Sequence, residues 1–158
     1  MLDYFDFSQS RQLAKRKAEL QRSGYKVSYW PFVYAADFLP LLGNTVVPVN
    51  VTIDGDAPFI WCASTFSAFT TAGAAQTAPN ILIRLRPETI QRELMNAQVH
   101  LISVFGTGER PHMLYMPMEL PAKSVLSVEA DSETATDINL RLSFIGVKVY
   151  LKKLARAV

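Results

Sequence analysis

The chain has one cysteine, two histidines and no unbroken apolar run of the roughly 18 residues that reads as a membrane span. A single thiol, Cys62, excludes an internal disulfide framework and a cysteine-rich zinc site. Two histidines leave little material for a metal centre or a histidine-based catalytic set. Charge is sparse as well. Charged residues make up 19%, and 16 basic against 14 acidic side chains leave a net +2, too even to mark a nucleic-acid binder by itself. Met1 to Phe7 is acidic and aromatic, the wrong composition for a secretory leader, so manufacture and use without export is expected. Asn50-Val51-Thr52 matches a glycosylation triplet but, without a leader, reads as strand.

Apolar residues are abundant, at 49% of 158, which is enough to pack one domain and excludes a wholly disordered chain. Residues 8–24 are built from good helix formers, with Ser8 or Ser10 as the expected cap and Gly24 suited to the left-handed position past the end. The apolar stripe of this helix is thin, mainly Leu13, Ala14, Ala18 and Leu20. Between Arg11 and Lys26 six basic residues face Glu19 alone, so a local +5 sits inside a chain of +2. Such a helix reads as an appendage laid on something.

After Gly24 the pattern turns to strands. Tyr25–Val33 is aromatic and β-branched, with Pro31 marking an edge or a break. Val46–Ile53 alternates into Asp54-Gly55-Asp56, a hairpin signal that makes Ala57–Phe66 the returning strand. Residues 70–79 carry no charge and read as a loop. Strands are expected at Asn80–Arg86, Val99–Phe105, Met113–Met116, Val125–Glu129 and Ile138–Leu151, where Gly146 marks a bulge or a reset of the face; a short helical turn fits within Glu88–Asn96. About eight strands with no strand–helix–strand alternation predict a mainly β domain over 25–158. That domain is expected to be an antiparallel β-sandwich of jelly-roll type, with 1–24 as a basic N-terminal helical arm.

Chemistry-bearing patterns are weak. Asp54-Gly55-Asp56 lacks the further spaced ligands of a calcium loop and reads as a turn. Phe105-Gly106-Thr107-Gly108-Glu109-Arg110-Pro111 has a proline and a strand after it where a phosphate loop needs a helix. His100 and His112 have no acidic or cysteine partner in ligand spacing, and no serine sits in a Gly-x-Ser-x-Gly elbow. Glu129, Asp131, Glu133 and Asp137 read as solvated, and Cys62 as a small buried hydrophobe. No catalytic, cofactor or metal residues are assigned. The basic helix competes evenly between a solvated cover over a sheet edge and a docking arm on an acidic surface. Lys148, Lys152, Lys153 and Arg156 form a second basic cluster. Aromatics interleaved for stacking on single strands are not evident beside these charges, so nucleic acid is not an expected partner.

Ile81-Leu82-Ile83-Arg84-Leu85-Arg86, Leu94-Met95-Asn96, Phe105-Gly106-Thr107-Gly108, Pro111, Leu120-Pro121 and the closing Asn139–Lys148 carry a resemblance. Over about half its length the chain resembles small all-β structural proteins of tailed bacteriophages, the class that includes jelly-roll capsid decoration (cement) proteins. The resemblance implies a non-enzymatic virion component, made in the host bacterial cytoplasm, that clamps neighbouring subunits of the major capsid protein or other virion proteins. It also implies homo-oligomers and no cofactor, and no membrane partner is expected. The expected partner-binding residues are Tyr4, Phe5, Phe7, Arg11, Lys15, Arg16, Lys17 and Arg22, on the arm. Two alternatives remain: a head–tail junction or tail-associated ring component, and a carbohydrate-binding sandwich using Trp30 or Trp61 as exposed aromatics.

Overall fold

The structure is a computed structural model that describes residues 7–88 and 94–153, with side chains of the first helix from Arg11 onward. It holds the helix α1 (Phe7–Arg22) and eight strands: β1 (Tyr25–Leu41), β2 (Val46–Thr52), β3 (Phe59–Thr70), β4 (Ile81–Pro87), β5 (Val99–His100), β6 (His112–Leu120), β7 (Val125–Ser132) and β8 (Ile138–Lys153). They form two four-stranded sheets, ordered β1-β8-β3-β6 and β2-β7-β4-β5, and every named pair is antiparallel. The pairing is nested: β1 with β8, β2 with β7, β3 with β6 and β4 with β5. The chain is thus mainly β, a two-layer antiparallel architecture whose inner faces make the core.

The main core takes one parity from each strand. Ile138, Leu140, Leu142 and Phe144 of β8 meet Phe59, Trp61, Phe66 and Ala68 of β3, and face Ile81, Ile83, Leu85, Leu126 and Val128 of the other sheet. In β3 that parity changes midway, because the register with β8 shifts by one residue between the Trp61–Gly146 and Ala63–Ile145 pairs, a bulge at Cys62. Edge strands carry Pro31 and Pro40 in β1, Pro48 in β2 and Pro117 in β6, and the one proline of an inner strand among the described residues, Pro87, is the last residue of β4.

α1 lies on the outer face of the first sheet. Val27, Ile60, Cys62, Val147 and Val149 form a second buried cluster there, covered by Leu13, Leu20, Tyr25 and Tyr29. Half-buried positions 13, 17, 20 and 24 follow the helical repeat, so Lys17 shares the covered stripe while Ala14 and Ala18 are exposed. The Tyr29 hydroxyl donates to the Leu13 carbonyl at 3.1 Å, and Arg16 pairs with Glu119 on β6. Gly24, at φ 83°, ends the helix in the left-handed region and turns the chain directly into β1.

Three local expectations need correction, and at Gly146 one of two alternatives does. Ser8 and Ser10 lie within α1, which is already helical at Phe7, the first described residue, rather than capping it. Asp54-Gly55-Asp56 does not close a hairpin, because β2 and β3 belong to different sheets and the turn carries the chain between them. Of Val99–Phe105 only Val99–His100 is strand; Leu101–Ser103 is a 3-10 turn that buries Leu101. At Gly146 the bulge is not in β8 but opposite, in β3, whereas the expected reset of the face is present: Ile138 to Phe144 pack in the main core and Val147 and Val149 in the cluster under α1. The helical turn expected within Glu88–Asn96 falls largely outside the described residues.

Candidate functional site

The inward side chains of β1 lose their cover towards its start. Phe38, Ala36 and Tyr34 are buried, Phe32 is half-buried and Trp30 is 64% exposed. Trp30, Pro31 and Phe32, with Lys148 and Tyr150 from β8, line an open hollow of about 470 Å³. Trp30 lies directly opposite Lys148 and Phe32 opposite Gly146.

Lys148 organises this end. It is 5% exposed, and its Nζ donates to Asp54 Oδ2 at 2.6 Å and to Asp56 Oδ1 at 3.0 Å, above the Phe32 ring at 4.2 Å from its centre. The Tyr150 hydroxyl donates to Asp56 Oδ2 at 2.6 Å, and the Asp54 amide donates to the Tyr34 hydroxyl at 3.0 Å. Burial pulls the Lys148 pKa down, but the bonds to Asp54 and Asp56 outweigh it and hold the ammonium above its ordinary value. The Lys148 bond lowers Asp54, while Tyr150 and then Lys148 lower Asp56. Lys148 is therefore a fixed cation and not a base. The hollow offers aromatic faces, and the two carboxylates held by Lys148 are half-exposed. It suits an apolar or aromatic group that carries a hydroxyl or a positive charge.

The opposite edge of the same sheet is convex. Between the Trp61–Met118 and Ala63–Met113 pairs, β3 contributes only Cys62 while β6 contributes Leu114-Tyr115-Met116-Pro117, so β6 bulges here; Leu114 still packs on the main core, and Tyr115 and Met116 project. Tyr115 is 91% and Met116 67% exposed. Beside this finger a groove of about 180 Å³ is lined by Gln12, Leu13, Arg16, Ile60, Pro117 and Glu119.

Of the expected partner-binding residues, Tyr4 and Phe5 lie outside the described residues, and Phe7 opens α1 without a described side chain. Arg11, Lys15 and Arg22 are exposed; Arg16 is engaged by Glu119 and Lys17 is half-buried. The two basic clusters meet at one pole, where Lys26 pairs with Lys152 and Tyr25 with Lys153, although Lys148 is withdrawn into its own network; Arg156 is outside the described residues. Trp61 is 3% exposed, with its Nε1 donating to the Ala63 carbonyl at 2.8 Å, so it is not an exposed aromatic. The glycine loop is tied to β3: Phe66 N donates to the Gly106 carbonyl at 2.8 Å, and a Cβ on Gly106 would sit 2.0 Å from the Arg110 carbonyl oxygen. His100 and His112 are exposed on different strands. Glu129 accepts from Gln98 at 2.9 Å, and Asp137 accepts from the Gly43 amide at 2.9 Å. Among the described residues no three His, Cys, Asp or Glu side chains converge as a metal site.

Sequence reasoning missed both the hollow and the finger. Met113-Leu114-Tyr115-Met116-Pro117-Met118 was readable as an apolar run, but only pairing with β3 reveals that its middle is extruded. Comparison of the chain with protein-family models, with curated proteins and with solved structures finds no match.

Proposed function

We propose that the chain is a non-enzymatic structural protein of a tailed-bacteriophage virion, a jelly-roll decoration protein that stabilises the capsid by bridging neighbouring subunits. One observation carries the reading: the nested pairing of β1 with β8, β2 with β7, β3 with β6 and β4 with β5, which supports a jelly roll because that fold is a long hairpin of eight strands wound into two sheets. Two surfaces agree with a bridging role. The Tyr115–Met116 finger and exposed Trp30 are the residue types that anchor protein interfaces, and Arg11, Lys15 and Arg22 present positive charge on a helix fixed to the body.

Deleting residues 1–24 would uncover Val27, Ile60, Cys62, Val147 and Val149, so it is a poor test of docking. Charge reversal is cleaner. The triple variant Arg11→Glu, Lys15→Glu, Arg22→Glu leaves the covered stripe and the Arg16–Glu119 pair intact. It is expected to keep the wild-type circular dichroism spectrum and lose co-sedimentation with capsids. Undiminished co-sedimentation overturns the assignment of the helix as a docking surface.

A further inference from the structure

The finger and the hollow stand at opposite edges of one sheet, on β6 and β1. Pairing partners relate the hollow to the base of the finger: Phe32, Gly146, Trp61 and Met118 follow one another across all four strands, as do Trp30, Lys148, Phe59 and Leu120. At the usual strand spacing the two edge strands are about 14 Å apart along such a row. The finger leaves β6 just past the Phe32 row, between the Met118 and Met113 pairs, so a second copy displaced sideways across the strands needs a slide of two to three residues, roughly 8 Å, to bring the finger of one chain level with the hollow of the next.

We propose that Tyr115 and Met116 of one copy dock into the Trp30–Phe32–Tyr150 hollow of a second copy. The contact is head-to-tail, and it closes into a ring or continues as a strip according to the rotation between copies. This deepens, and rests on, the reading of the chain as an assembly protein by naming a second copy as the occupant of the hollow.

Chemistry favours this occupant. A thioether packs well against aromatic rings, and the hollow presents Trp30, Phe32 and Tyr150. A tyrosine hydroxyl gains a strong acceptor in Asp54 or Asp56, whose side chains are 52% and 48% exposed despite Lys148. The 470 Å³ hollow is in the range that binds a small ligand, and a finger of one aromatic and one thioether side chain is of that scale. Pro31 lacks an amide donor and interrupts backbone pairing at this point of the β1 edge, which leaves recognition there to side chains.

The test uses purified full-length chain and light-scattering mass after size exclusion. Wild type is expected to form a discrete oligomer or a concentration-dependent series. Trp30→Ala lacks the hollow's wall, and Tyr115→Ser/Met116→Ser lacks the finger; each alone is expected to be monomeric with the wild-type circular dichroism spectrum and a cooperative melt. Mixed in equal amounts, they are expected to stop at two chains, since one supplies the finger and the other the hollow. A monomeric wild type, variants that associate like wild type, or a mixture that stays monomeric each overturn self-docking. So does saturable glycan binding by a monomeric wild type that Trp30→Ala abolishes, because it gives the hollow to a sugar. If either variant misfolds, a Trp30→Cys chain mixed with a Met116→Cys chain gives a second readout. Disulfide-linked unlike pairs in excess over like pairs support the contact, and statistical yields overturn it. These measurements involve no particle, so their failure is distinct from a failure to bind capsids.

Discussion

Lys148 Nζ lies 2.6 Å from Asp54 Oδ2, although 94 residues separate them, and this contact ties the far end of β8 to the turn that carries the chain from one sheet to the other. The same ammonium reaches Asp56 and covers Phe32, so one side chain braces the wall of the hollow.

Lys148→Met keeps the apolar stem and removes the charge. Asp54 and Asp56 have pKa values below their usual 3.8, so the folded state binds fewer protons than the unfolded state near that pH. Their contribution is full above about pH 4 and lost as pH falls through the lowered values. Lys148 has the opposite sign: its raised pKa contributes below 10.5 and is given up only in strong alkali. The variant is therefore expected to melt lower at neutral pH and to show a shallower fall in Tm on acidification than wild type. The slope that remains includes Asp37, lowered by its hydrogen bonds to Arg141. Thermal melts across an acid series check this; parallel curves contradict it.

Gly146→Ala tests the close approach of β3 and β8. A Cβ there would sit 1.9 Å from the Ile60 carbonyl oxygen and 2.8 Å from Phe59 Cζ, and the backbone contact cannot be relieved by a rotamer change. The expected loss is about 3 kcal/mol, the upper end of ordinary overpacking. Gly108→Ala, with nothing within 4 Å, is the control and is expected within about 0.5 kcal/mol of wild type. Denaturant unfolding measures both.

Cys62 reports on the helix. Its thiol is buried under α1, and burial pushes its pKa up to about 12, so labelling by a thiol reagent at neutral pH is expected to be very slow. Removing residues 1–24 uncovers the cluster and is expected to raise the labelling rate by at least tenfold. Tyr29→Phe, which removes the hydroxyl bond to Leu13, is expected to lie between them, at a cost of about 1 kcal/mol to helix docking. Equal labelling rates in all three proteins contradict the placement of α1.

Much of the fold was legible because it is local. The helix end at Gly24, the alternation of Ile138–Phe144 and the prolines of the edges all act within a few residues. What failed depends on distant partners. Asp54-Gly55-Asp56 has the chemistry of a hairpin turn, yet pairing with β7 and β8 draws β2 and β3 into different sheets. The change of face at Gly146 was legible, but its cause, α1 covering Val147 and Val149, lies over a hundred residues earlier in the chain. Lys148 reads as one of four C-terminal surface cations until the turn at 54–56 folds over it.

Cross-linking mass spectrometry on particles purified from cells that express the chain from its own locus tests the virion assignment most directly. The expected result is the chain in many copies on the head, with links from Lys15 to the major capsid protein. Particles that lack the chain, while it accumulates in the host cell, would contradict that assignment.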